Sequence, residues 1–99
     1  MNQVKIPFKQ LSWRDGVTEL GKEKGYIHLI GELYESEKHR YPFLSYNINN
    51  NYDGKLNDKL LVYNSQYDIE LGEFETLFEA KNACQKHLEE TIIKTFFEL

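Results

Sequence analysis

Residues 72–96 read GEFETLFEAKNACQKHLEETIIKTF, and this stretch decides the fold. Thr76 with Glu79 three residues on is a Thr-x-x-Glu capping box, a pattern that satisfies the backbone N–H groups a helix start leaves without partners. Leu77, Ala80, Cys84, Leu88, Ile92 and Phe96 recur every three or four residues and trace one core-facing stripe. Ala83, His87, Thr91 and Thr95 flank that stripe, and no Gly or Pro interrupts residues 76–99. The spacing predicts a helix over 76–97. Its small residues Ala80, Ala83 and Cys84 let the axis come close to a sheet.

Working back from the helix, the pattern changes to a period of two, the signature of strands with one buried face. Ile27, Leu29, Gly31 and Leu33 fall on one side of a strand that begins after Gly25, and Leu44, Tyr46 and Ile48 align within 43–48. A short strand around Leu11-Ser12-Trp13 ends at the Asp15-Gly16 turn, and Val17 and Leu20 read as part of a second. Residues 35–40 form a polar connector. Residues 49–59, rich in Asn, read as a loop, followed by short strands at 60–63 and 67–71 joined through Asn64-Ser65-Gln66. In the last of these, Tyr67, Ile69 and Leu71 face one way while Asp68 and Glu70 face the other. The expected fold is α+β: an antiparallel meander of about four or five short strands packed against one long C-terminal helix. It is a single domain over 1–99, β-rich over 1–72.

Composition narrows the function classes. With 99 residues, 40% hydrophobic and 14% aromatic, the chain can bury a core and is no disordered tail. Its apolar runs are too short for a membrane span, and residues 1–9 lack the apolar stretch of a secretory signal. One cysteine permits no internal disulfide and fits a reducing cytoplasm, here expected to be that of a host cell. The formal charge is −4, and the acids concentrate in the second half.

Reactive groups are present without the constellations that chemistry needs. Asn49-x-Asn51-x-Asp53-Gly54-x-Leu56 follows part of a calcium-loop spacing, but Leu60 stands where a bidentate Glu is required. Cys84 and His87 can touch on one helix face, yet a nucleophile pair needs a cleft and an orienting third group. His28, His39 and His87 have no common metal-ligand spacing. No catalytic, cofactor or metal site is expected, and the chain reads as no enzyme. Lys22, Lys24, Lys38 and Arg40 could form a small basic rim, thin support for nucleic acid on an acidic protein.

The segment Gly72-x-Phe74-x-Thr76-Leu77-x-x-Ala80-Lys81-x-Ala83-Cys84-Gln85 resembles the C-terminal G-x-F-x-[ST]-L-x-x-A-K-x-A-x-Q signature of small phage and prophage proteins of unassigned function. Leu11-x-Trp13 and the strand after Gly25-Tyr26 are similar to their upstream pattern, so that the likeness covers about a third of the chain. The resemblance implies an architecture and a mobile-element setting, and transfers no functional residue. Ala80-Lys81-Asn82-Ala83 is also similar to the last helix of double-stranded-RNA-binding domains. Where those domains place lysines for phosphate, this chain has Glu73, Glu75 and Glu79.

Two features point to a protein partner. Strands of five or six residues span about 17–20 Å against roughly 30 Å for the helix, which leaves its far end bare. There Ile93, Phe96, Phe97 and Leu99 form an apolar cluster suited to a second copy of the chain or another protein. Asp68, Glu70, Glu73 and Glu75 add an acidic run that favours the positive end of the helix dipole, or steers towards a basic surface. The expected function is a non-enzymatic accessory protein of a phage or mobile element, acting by protein–protein binding. In its most concrete form it inhibits a host defence complex by occlusion, in the manner of anti-CRISPR proteins. Its partners would be a host protein or complex, with a homodimer through the C-terminal helix. The alternative is a nucleic-acid-binding module, similar to the RNA-binding domains above or binding single strands on an open sheet face.

Overall fold

Thr76 starts a helix as its position requires: its hydroxyl accepts the Glu79 N–H at 3.1 Å, and its carbonyl accepts the Ala80 N–H at 3.1 Å. A computed structural model describes residues 10–33 and 44–96, and the helix begun at Thr76 is its longest element, α2 (Leu77–Phe96). Before it come β1 (Ser12–Asp15), α1 (Glu19–Glu23), β2 (His28–Leu33), β3 (Leu44–Tyr52), β4 (Lys55–Asn64) and β5 (Ile69–Phe74). The strands lie in the order β1-β2-β3-β4-β5, every neighbour antiparallel, and α2 packs on one face over β3, β4 and β5. The expected meander with one covering helix is the observed architecture.

The two periodicities meet in the core. Ala80, Cys84 and Leu88 bring one side of α2 onto Leu44, Tyr46 and Ile48 of β3 and Leu60 and Val62 of β4, all buried, with Ile92, Leu71 and Phe74 packed at the margin. Truncating a fully buried leucine such as Leu88 to Ala costs about 2–5 kcal/mol. Leu77, expected on the same stripe, is 37% exposed. It lies about 60° round the helix from Ala80, and no described strand lies beyond β5 to cover it. The other flank of α2 reaches β1: Gln85 Oε1 accepts the Leu11 N–H at 3.2 Å, and the Lys81 ammonium lies 5.5 Å from the centre of the Trp13 ring.

Three local expectations are corrected. Residues 49–59 are not a loop. They carry the end of β3, a two-residue turn at Asp53-Gly54 and the first half of β4. Both turn residues have positive φ, 56° and 73°, as a turn matched to strand twist demands. The Asn side chains become part of the backbone bonding. Asn50 Oδ1 accepts the Ile27 N–H at 2.8 Å and its Nδ2 donates to the Gly25 carbonyl at 2.9 Å, while Asn57 Nδ2 donates to the Tyr52 carbonyl at 2.8 Å. Val17 and Leu20 belong to no strand: Thr18 caps the single helical turn α1, its hydroxyl accepting the Gly21 N–H at 3.2 Å. The last strand begins at Ile69 rather than Tyr67, because residues 65–68 turn, with Asp68 at φ 56°.

Strand length changes with the first correction. At about 3.3 Å per residue, the ten residues of β4 span roughly 33 Å, as long as the twenty-residue helix above them at about 30 Å. Those added residues, 55–59, lie on the far side of the Leu60–Phe74 pair, beyond the level at which α2 begins, so they lengthen the sheet away from the far end of the helix.

Trp13 lies directly across from Gly31 in the β1–β2 ladder, and a Cβ on Gly31 would sit 2.7 Å from the indole ring. Gly31→Val is therefore expected to push the ring outward and to cost about 1–3 kcal/mol. Urea denaturation would report the loss, and a red shift in the emission of this one tryptophan would report the displacement.

Candidate functional site

Six large hydrophobic side chains are exposed among the described residues, and four of them fall within twelve residues around β5 and the β5–α2 corner, Tyr67 and Ile69 where β5 begins and Leu77 and Phe78 where α2 begins. Asp68, Glu70, Glu73, Glu75 and Glu79 interleave with them, and no Lys or Arg occurs between Leu60 and Ala80. Among the described residues, the ion pairs lie elsewhere: Arg14 with Glu32, and Lys22 with Asp15 and Glu19. The segment thus sets exposed apolar side chains among carboxylates that form no ion pair with the described residues, Glu73 being hydrogen-bonded by the Tyr52 hydroxyl.

Local chain geometry builds it. Asn64 Oδ1 accepts the Tyr67 N–H at 2.8 Å and closes the turn that leads into β5. Val62 pairs with Gly72 but Tyr63 pairs with Glu70, so Leu71 is an extra residue, a bulge, beside a glycine at φ 128°. The bulge lets Leu71 and Phe74 both pack towards the core. Glu70 and Glu73 share the opposite, uncovered face with their partners Tyr63 and Leu61.

Between the edge of β5 and the near flank of α2 runs a groove of about 560 Å³, lined by Leu71 and Phe74 on the strand side and by Asn82, Ala83, Lys86 and His87 among the helix residues. His87 is tied to the sheet beneath: its Nδ1 accepts the Tyr46 hydroxyl at 2.7 Å, with the rings edge to face at 5.6 Å and 79°. Burial holds His87 below the ordinary histidine range, helped by Lys94 and opposed by Glu90, so the ring is neutral and able to accept. Burial also raises the Tyr46 phenol and pushes the Cys84 thiol up to about 12. Cys84 is fully buried under α2 and acts as a packing group, since the thiolate is the reactive form.

The expected site residues divide. Asp68, Glu70, Glu73 and Glu75 are strung along β5, from the turn before Ile69 to the residue after Phe74, with Glu70 and Glu73 on its uncovered face. Ile93 is half-buried on α2, fourteen residues past Glu79 and about 21 Å along the axis from it. Phe97 and Leu99 lie outside the described residues, as does the side chain of Phe96. Of the basic rim, Lys22 is held by Asp15 at 2.7 Å, an exposed pair that lowers the Asp15 carboxyl, and Lys38 and Arg40 lie outside the described residues. Among those residues no three acidic, His or Cys side chains group as metal ligands, and no helix is long and apolar enough to cross a membrane. The apolar half of the corner was missed in the sequence. Phe78 is two residues from Ala80, about 160° round the helix, and its position opposite the core stripe was the available signal.

Comparison with known families, curated proteins and solved structures finds no match.

The buried, neutral His87 makes stability depend on pH in one direction. The unfolded chain takes up a proton near the ordinary histidine value of 6.5, whereas the folded chain does so only at lower pH. The contribution is complete above about pH 6.5 and is lost as pH falls through that value towards the folded one. Denaturation midpoints are expected to fall between pH 7.5 and 5.5, and His87→Gln to flatten that part of the profile.

Proposed function

We propose that this chain is a non-enzymatic protein-binding module whose β5–α2 corner docks on a basic surface of another protein. The observation that carries the reading is the interleaving of Tyr67, Ile69, Leu77 and Phe78 with five carboxylates that form no ion pair with the described residues. An exposed cluster of large apolar side chains is the usual source of affinity in an interface, with one or two aromatic anchors contributing most of it. The surrounding charge accelerates encounter with a positive partner and discourages a negative one. The same charge repels phosphate, which weighs against the nucleic-acid alternative.

The likeness of residues 72–85 to phage and prophage proteins supports a biological setting for this activity. A small acidic module of this kind would occlude a basic working surface of a host complex, and inhibition of a defence complex remains its most concrete form.

Phe78 is 75% exposed and contributes nothing to the core, and an acid in the first turn of a helix suits its dipole. Phe78→Asp is therefore expected to leave circular dichroism and the melting temperature unchanged while cutting partner capture from a bacterial lysate about ten-fold or more. Retention should also weaken with added salt. A captured protein that is held equally by wild type and Phe78→Asp at all salt concentrations would refute the reading.

A further inference from the structure

We propose that β5 accepts an extended, lysine- or arginine-bearing segment of the partner as a sixth strand, with the near flank of α2 as its roof. This rests on the protein-binding reading above and specifies how the partner is held. Three independent features converge. β5 is the last strand of the sheet, and no described strand pairs with its outer edge, so its outward backbone groups offer a template for pairing. The groove between that edge and α2 lies where an added strand would run, since neighbouring strands stand about 4.8 Å apart. The two faces of the edge also differ in chemistry. On the helix side an added strand meets Ile69, Leu71, Phe74 and Ala83, and on the open side it meets Glu70 and Glu73.

Side chains of a strand alternate between faces. The segment that fits therefore alternates apolar residues, directed into the groove, with cations, directed to Glu70 and Glu73. Charge also argues against a second copy of this chain as the occupant. Two β5 edges brought together would set Glu70 and Glu73 near their own copies, and like charges facing one another destabilise a strand pair. The bulge at Leu71 adds a twist that resists flat edge-to-edge stacking. The other edge of the described sheet, β1, has four residues, and its cation Arg14 is already bound to Glu32 at 2.7 Å. The edge is guarded against itself and open to a basic strand.

The test uses the full chain and four nine-residue synthetic peptides labelled with fluorescein: one alternating Lys and Val, one alternating Glu and Val, and two Lys–Val peptides N-methylated at alternate backbone nitrogens, one in each phase. Anisotropy at low salt is expected to show the Lys–Val peptide binding about ten-fold or more tightly than the Glu–Val form and than the N-methylated form whose methyl groups face β5, while the other N-methylated form keeps its binding, because only alternate N–H groups meet the edge. Hydrogen exchange should slow for amides within 69–74 that exchange freely in the unbound chain. The double variant Glu70→Lys/Glu73→Lys, both on the solvent face, is expected to abolish this binding with the fold retained. Equal binding of both N-methylated forms, or an unchanged exchange rate across 69–74 under saturating Lys–Val peptide, overturns strand addition. Absence of Lys–Val binding to the wild-type chain overturns it as well. In each of these cases, lysate capture that still depends on Phe78 shows that the protein-binding reading survives, and loss of that dependence shows that both have failed.

Discussion

A single tyrosine fixes the position of the helix on the sheet. Tyr46, near the start of β3, is wholly covered, and its hydroxyl bonds to His87 of α2. A buried phenol without a partner costs about 1–3 kcal/mol, so α2 cannot slide or rotate without exposing that cost. With His87 held down and Gln85 tied to Leu11 on the opposite flank, the axis is fixed between β1 and β5. The space left open beside β5 follows from that placement. The small residues Ala80, Ala83 and Cys84 bring the backbone close to the strands and keep the groove shallow enough for a chain to lie against both walls.

The helix and the central strands were legible because their signals are redundant. Thr76 and Glu79 mark a start, Ala80, Cys84 and Leu88 repeat the period, and Leu44, Tyr46 and Ile48 alternate without exception; burial follows each pattern. Residues 49–59 were misread because composition was given more weight than turn chemistry. Asparagine is depleted in strands when its amide has nothing to bond, but here Asn50 and Asn57 bond the backbone of neighbouring segments. Asp53-Gly54 between two extended runs was the stronger signal, since both positions require a backbone that glycine and aspartate tolerate.

The candidate site was half legible. A run of acids without a cation can be counted from the sequence, and Glu70 and Glu73 do share one face of β5. What completes the surface is the position of apolar side chains relative to an edge, which no residue count reveals. Ile69 and Leu77 look like core residues by type and period. They are exposed because the sheet stops at β5 and nothing described lies beyond it. Exposure at an edge is a property of topology, and strand order is the level that sequence pattern reaches last.

Cys84 provides a clock for motion in this fold. It is the chain's sole sulfhydryl, sealed at the contact between α2 and the strands, so an alkylating reagent can reach it only when the two layers separate. The labelling rate at low reagent concentration then measures how often the layers part, as amide exchange measures local opening elsewhere. A segment bridging β5 and α2 would slow that rate even though it never touches the sulfur, turning a silent packing group into a remote gauge of occupancy.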